Sequence, residues 1–69
     1  MLFSDLSSER IVRALKKAGF RIIHEGKHIG LSDGERRITI PRHARINPYT
    51  LKAIIRDAGL SDVEFKRLL

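Results

Sequence analysis

A histidine among basic residues is the feature of this sequence that could do chemistry. His28 follows Lys27 directly, and Arg21 and Arg37 lie in the segments on either side. An unperturbed histidine takes up and releases a proton near neutral pH, and neighbouring cations stabilise the charge that develops on a reacting phosphate. Cleavage of RNA by attack of its own 2′-hydroxyl on the adjacent phosphate needs only these two functions. The same residues are also typical of an ordinary solvated basic surface, and composition alone favours that plainer interpretation.

His24 and His28 also form the string H-E-x-x-H, which is a signature of zinc proteases. That motif binds zinc only on a helix, where residues four apart share one face. Here Gly26 lies in the middle of the string and β-branched residues precede it, which indicates a strand–turn–strand segment. No third ligand follows at a recognisable spacing. We therefore expect no metal site and no cofactor.

Other catalytic arrangements have little support in the sequence. No pair of carboxylates is placed for glycosidase chemistry or for a magnesium-dependent nuclease. A glycine-rich phosphate loop is absent, since Gly26, Gly30 and Gly34 are spaced four apart within strand-like segments. The turn that presents a nucleophilic serine is not visible either. A proton-transferring histidine with cations is what remains.

Composition bounds the kind of protein. The chain has 69 residues, with 14 Lys and Arg against 8 Asp and Glu, a formal net charge of +6 and no cysteine. This length predicts one domain over residues 1–69 with an active site on an open surface, and the charge favours a polyanionic partner. The apolar runs are too short for a membrane span, and Met1–Asp5 lacks the regions of a signal peptide. We therefore expect a cytoplasmic protein.

Local signals predict a helix and three strands in the first part of the chain. Ser7 is a suitable N-cap, and Gly19 is a suitable residue after the last helical turn. Asp33-Gly34 predicts a two-residue hairpin turn between the second and third strands. The expected helix covers residues 8–18, and the expected strands cover 20–24, 28–32 and 36–40.

The remaining residues predict two helices after a basic loop. Asn47-Pro48 supplies an N-cap and a proline where a second helix begins, and Gly59 ends that helix. Ser61 and Glu64 form a capping box that begins a short last helix. The order α-β-β-β-α-α predicts an α+β fold, in which the helices pack on one face of a three-stranded antiparallel sheet and leave the other face open.

Alternation along the strands predicts which residues lie on each face of the sheet. Apolar residues at every second position should face the helices, and a slip of one residue would exchange the two sets. The predicted core-facing residues are Phe20, Ile22, Ile29, Leu31, Ile38 and Ile40. The predicted residues of the open side are Arg21, Ile23, His28, Gly30, Arg37 and Thr39.

Most of the chain resembles the HicA toxins. The resemblance covers about residues 7–69, and its specificity lies in the order and spacing of several short motifs. His28 lies in the Gly-x-His motif of that family, with Lys27 where a small residue is usual and Ile29 where a second histidine or an aromatic residue is common. The motifs are Leu15–Phe20, Gly26–His28, Asp33–His43, Thr50–Ser61 and Glu64-Phe65.

The resemblance implies a double-stranded-RNA-binding-like fold and a metal-independent mRNA interferase of a type II toxin–antitoxin system. It implies that His28 is the catalytic histidine and that a HicB antitoxin is the protein partner, which would cover the open side of the sheet or the loop after Pro41. His43 belongs to a recurring Pro-x-His and is expected to be structural or to contact RNA. The residues expected to bind RNA are Arg21, Lys27, Arg37, Arg42, His43 and Arg45.

Two other functions remain open at this point. The same sheet could recognise RNA or an antitoxin without catalysis, and Lys27 beside His28 keeps that alternative in play. A DNA-binding helix-turn-helix over residues 51–69 is less favoured. Asp62 and Glu64 would bring negative charge to the start of its recognition helix, where DNA phosphates must approach.

Overall fold

The computed structural model describes residues 6–69, so the prediction made for Met1–Asp5 concerns residues outside that range. The elements follow the predicted order α-β-β-β-α-α. None of the helices within residues 6–69 has both the length and the apolar character needed to cross a lipid bilayer. The bounds are α1 Ser8–Lys17, β1 Arg21–Glu25, β2 His28–Ser32, β3 Arg37–Pro41, α2 Pro48–Asp57 and α3 Asp62–Leu68.

Each helix begins at the side-chain cap that the sequence predicts. The hydroxyl of Ser7 accepts a backbone N–H of α1 at 3.3 Å, and the side-chain oxygen of Asn47 accepts one of α2 at 2.8 Å. Ser61 and Glu64 form the predicted capping box of α3, with bonds of 3.1 and 3.0 Å. These bonds satisfy N–H groups that a helix leaves unpaired in its first turn, so they fix where the helices begin.

The three strands form an antiparallel meander in the order β1-β2-β3. The register between β2 and β3 is regular and pairs Gly30 with Thr39 and Ser32 with Arg37. This pairing leaves residues 33–36 in the connecting loop, so the predicted two-residue turn is wrong.

The carboxylate of Asp33 explains the longer loop. It accepts the backbone N–H groups of Glu35 at 2.9 Å and Arg36 at 2.7 Å, and the N–H of Asp33 donates to the carbonyl of Arg36 at 3.3 Å. An aspartate side chain that bonds to the following amides stabilises a wider turn than the backbone alone would form. Gly34 adopts a φ of +101°, which glycine tolerates without strain.

The apolar core lies between the sheet and the helices. The predicted core-facing residues are confirmed: Ile22 is half-buried and the others are buried. Ile46, in the loop before α2, is 2% exposed and joins the same core. The buried apolar residues are Leu6, Ile11, Val12, Ala14, Leu15, Phe20, Ile29, Leu31, Ile38, Ile40, Ile46, Leu51, Ile54, Ile55, Ala58 and Phe65.

The loop after β3 is anchored to the start of α1. The backbone N–H of Ser8 donates to the carbonyl of His43 at 3.0 Å, and the N–H of Ile46 donates to the carbonyl of Leu6 at 2.8 Å. Leu6 and Ile46 are both buried. These two hydrogen bonds and the two buried side chains therefore fix the backbone of the loop that carries the basic residues.

β1 departs from strict alternation at one point. Ile22 pairs with Leu31 and His24 pairs with Gly30, so β1 contains one more residue than β2 across this interval. This irregularity is a β-bulge, which shifts the facing of the residues that follow it. Strict alternation after Ile22 would turn His24 towards the helices. The bulge instead places His24 on the same side as Gly30.

Candidate functional site on the uncovered sheet face

The side of the sheet turned away from the helices, which we call the open face, carries its side chains in cross-strand rows. Directly paired residues of an antiparallel sheet lie on the same face, so the register gives the rows. One row lies beside the β1–β2 turn, one in the middle and one beside the β2–β3 loop. In that order they are His28 with Pro41, His24 with Gly30 and Thr39, and Arg21 with Ser32 and Arg37; Ile23 lies in the bulge beside His24.

His28 is exposed at the first position of β2. It pairs with Pro41 of β3, and its carbonyl accepts the N–H of Gly26 at 3.1 Å. The backbone on both sides of His28 is therefore fixed while its imidazole remains open to solvent. This matches the facing that alternation predicts.

Arg42 lies at the turn that precedes His28. Its Nε donates to the carbonyl of Gly26 at 2.6 Å, and this bond leaves the terminal guanidinium nitrogens for other acceptors. Lys27 lies in the same turn and is exposed. The structure therefore brings two cations to the end of the sheet where His28 lies, one from the turn itself and one from the loop after β3.

Arg21 and Arg37 lie at the other end of the open face. Both pair with Ser32, and Ser32 is four residues along β2 from His28. At about 3.3 Å per residue the two rows are about 13 Å apart. The structure therefore separates these arginines from His28 by the middle row of the same face.

His43 and Arg45 lie outside the three cross-strand rows of the open face. Both line a shallow cavity of about 330 Å³ with Pro41 and with residues at the start of α2. Because Pro41 is paired with His28, this cavity lies next to the same end of the sheet. The basic loop therefore extends the positive surface beyond the edge of the sheet and not across it.

Sequence reasoning missed His24. The bulge puts it in the middle row, where it leans over its paired glycine: a Cβ atom built on Gly30 would lie 3.2 Å from the Cβ of His24. A signal was present in the sequence. Alternation from Phe20 and Ile22 places the polar His24 in the core, and this conflict between pattern and residue type is what a bulge relieves.

The carboxyls with a shifted pKa lie away from the histidines. Backbone N–H groups of Arg36 and Glu35 lower the pKa of Asp33, and the backbone N–H of Ser61 does most to lower that of Glu64. These groups hold a loop and a helix cap. None of the residues in the three rows of the open face is acidic, and the ionisable side chains in those rows are arginines and histidines.

The H-E-x-x-H string forms a strand, a turn and a second strand, as predicted. β1 ends at Glu25 and β2 begins at His28, so the two histidines do not share a helix face. Within residues 6–69 no group of three or more His, Asp or Glu side chains is arranged to hold a metal ion.

Comparison with known protein families matches most of the chain to one of them. The family model described as the HicA toxin of bacterial toxin-antitoxin matches residues 8–60. The match begins at the first residue of α1 and ends just after α2, so it spans the sheet and both histidines of the open face. No curated protein matches the chain.

Proposed function

Because the chain belongs to the HicA toxin family of bacterial toxin–antitoxin systems, we propose that it is a metal-independent endoribonuclease that cleaves mRNA with His28 as a proton-transfer group. The observation that carries this proposal is an exposed imidazole on an uncovered sheet face, with Lys27 and Arg42 at the same turn. Cleavage of mRNA would stop translation, which is how a toxin of this kind would act.

The chemistry requires one bond to form and one to break. The 2′-oxygen of a ribose loses its proton to a base and attacks the adjacent phosphorus, and the bond from phosphorus to the 5′-oxygen breaks as that oxygen gains a proton. The products are a 2′,3′-cyclic phosphate and a 5′-hydroxyl. His28 serves one of these proton transfers, which typically accelerates such steps about 10²–10⁴-fold.

Cations beside His28 would stabilise the pentavalent transition state. Lys27 and the terminal nitrogens of Arg42 lie at the turn that precedes His28, where the reacting phosphate would lie. Donors aimed at the place where negative charge develops accelerate a reaction more than they strengthen substrate binding. These two residues are therefore expected to affect the turnover number more than the Michaelis constant.

The other cations would hold the rest of the RNA chain. Arg21 and Arg37 form a separate positive row about 13 Å along the strands, and His43 and Arg45 extend the surface past Pro41. A single strand with splayed bases can lie across a flat face of this kind, whereas a narrow pocket is not needed. Binding should weaken with salt in proportion to the number of phosphates contacted.

A HicB-like antitoxin is the proposed protein partner. The open face presents basic residues and no acid in its three rows. A partner that offers carboxylates to Arg21, Arg37 and Lys27 would match that charge and cover His28 at the same time. Inhibition would then follow from exclusion of the RNA chain from the face.

The decisive experiment is cleavage of a defined RNA by the purified protein in EDTA. Wild type and a Lys66→Ala control, altered on α3 away from the sheet, should cleave equally well. His28→Ala should lose activity while it keeps its folded structure and its RNA affinity. Equal cleavage by wild type and His28→Ala would remove His28 from the mechanism, and loss of wild-type cleavage in EDTA would indicate a metal. RNA binding without any cleavage would favour a non-catalytic module.

A further inference from the structure

We propose that His24 is a second proton-transfer residue of the same site, so that the reaction uses two histidines and not one. This inference rests on the proposed ribonuclease function. It comes from three features of β1, β2 and the turn between them: the bulge that turns His24 outward, the two glycines that make room for it, and its diagonal position relative to His28.

The bulge in β1 determines which way His24 faces. His24 pairs with Gly30, and the preceding pair joins Ile22 to Leu31. Without the extra residue His24 would lie opposite Ile29 and face the core. A bulge interrupts regular pairing, and such features are often found where a side chain is re-aimed next to an active site.

Two glycines make room for the imidazole of His24. A Cβ atom on Gly30 would lie 3.2 Å from the Cβ of His24, closer than the roughly 4.5–5.5 Å usual for directly opposed side chains. A Cβ atom on Gly26 would lie 2.9 Å from Nε2 of His24. The ring therefore extends from the middle row towards the β1–β2 turn, across backbone that carries no side chain.

This direction brings the ring towards His28. His28 and Gly30 lie on the same face two residues apart, so His24 and His28 are diagonal neighbours. Diagonal neighbours in an antiparallel sheet are about 7–8 Å apart, within reach of aromatic-sized side chains. Both residues are exposed, so a phosphate between the rings would meet one imidazole on each side.

A pair of histidines suits the proton balance of the reaction. One neutral imidazole accepts the proton of the 2′-hydroxyl, and one protonated imidazole donates a proton to the departing 5′-oxygen. After hydrolysis of the cyclic phosphate or exchange with water, each ring returns to its starting state. Two separate groups can hold these opposite protonation states at the same time, which a single histidine cannot.

Most of the charged residues near the pair are basic. Lys27 and Arg42 lie at the turn, and Arg21 and Arg37 form the far row of the same face. Glu25 pairs with the core-facing Ile29, so its carboxylate starts from the other side of the sheet. The two imidazoles therefore lie on a largely cationic surface.

The test is the pH dependence of kcat/KM on a short RNA in EDTA, across about pH 5 to 9, where histidines titrate. Wild type should give a bell with an acidic and a basic limb. His24→Gln should lower the rate about 10²–10⁴-fold and remove one limb, and His28→Gln should remove the other. Ile23→Ala, altered in the same bulge but unable to transfer a proton, should keep both limbs.

A sulfur-containing substrate separates the two roles. RNA with sulfur in place of the 5′-bridging oxygen has a leaving group that needs no proton. One of the two histidine variants should regain most of its rate on this substrate, and the other should not. Rescue of neither variant would contradict an acid–base pair.

The folded state is checked by thermal unfolding and by RNA affinity, and Gly26→Ala provides a variant that leaves both histidines in the sequence. Its methyl group should displace the His24 ring and weaken the same limb of the pH profile of kcat/KM that His24→Gln removes. If wild type cleaves RNA and His24→Gln cleaves it with an unchanged rate and pH profile, only this inference fails. If wild type does not cleave RNA at all, the proposed function itself fails.

Discussion

The two ends of the open face are built differently. At the Arg21 and Arg37 end, both residues pair with Ser32, the β2–β3 register is regular and the loop is closed by local bonds from Asp33. At the His28 end, the turn receives a bond from Arg42 that spans 16 residues of sequence. Between the two ends, a bulge in β1 turns His24 onto the open face.

On the proposed function, this difference separates the binding of RNA from proton transfer. A regular ladder with exposed arginines needs only charge to hold a phosphate, and small changes of side-chain position cost little there. Proton transfer instead requires heavy atoms within about 3 Å of the proton's destination. The bulge between the two ends interrupts the regular pairing of β1 with β2 and turns His24 towards the His28 end.

The largest effect should come from His28. His28→Gln should lower kcat about 10²–10⁴-fold and leave KM within a few-fold, since the imidazole acts on the proton and the other cations still hold the RNA. Steady-state cleavage of an oligoribonucleotide measures both constants. A rise in KM with unchanged kcat would instead place His28 with the binding residues. The two ends of the open face would then not differ in function.

The next effect concerns the bulge. Gly30→Val should lower the free energy of unfolding by about 1–3 kcal/mol, as overpacking usually does, because any Cβ there meets the Cβ of His24 at 3.2 Å. Cleavage should fall as well, since His24 is displaced. Chemical denaturation and cleavage rate measure the two consequences.

Thr39→Val is the matched control for Gly30→Val. Thr39 pairs with Gly30 and is exposed, so this substitution by the same residue should alter stability by about 0.5 kcal/mol or less. Equal tolerance of valine at both positions would show that the bulge does not depend on the glycine.

Much of the fold was predictable because local signals agree. Ser7, Asn47 and Ser61 cap the helices as the sequence predicts, and alternation assigns the buried face of β2 and β3 correctly. Hydrophobic period and capping chemistry act over a few residues, so they can be read from the sequence alone.

The candidate site was less predictable because two of its features are not local. The bulge that exposes His24 breaks the constant period on which alternation depends. The bond from Arg42 to Gly26 depends on how the end of β3 meets a distant turn. The prediction of a two-residue turn at Asp33-Gly34 was wrong for a different reason. There the carboxylate of Asp33 accepts the turn amides in place of backbone carbonyls.

A smaller effect is expected at the arginine end. Replacing Arg21 and Arg37 with Gln together should raise KM for RNA with little change in kcat, because this row lies about 13 Å from His28. The slope of log affinity against log salt should become shallower by about 2, roughly one for each phosphate that an arginine no longer neutralises. A decrease in kcat comparable with that of His28→Gln would show that this row takes part in the chemistry.

The smallest effect is a pH dependence of stability at the arginine end. The N–H groups of Arg36 and Glu35 hold the pKa of Asp33 below its ordinary value, so the ionised carboxylate stabilises the folded loop. That contribution is complete above about pH 4, the ordinary pKa of an aspartate, and is lost as the pH falls through the lowered folded value.

The His28 end has no such carboxylate in its turn, because the bond there runs from Arg42 to a backbone carbonyl that does not titrate. Amide exchange of Glu35 and Arg36 should therefore become faster than that of Gly26 as the pH falls below about 4, after correction for intrinsic rates. Asp33→Asn keeps a side-chain oxygen that can accept the same bonds and should remove the difference. If acid affects both turns equally in the wild type, the two ends do not differ in how their loops are held.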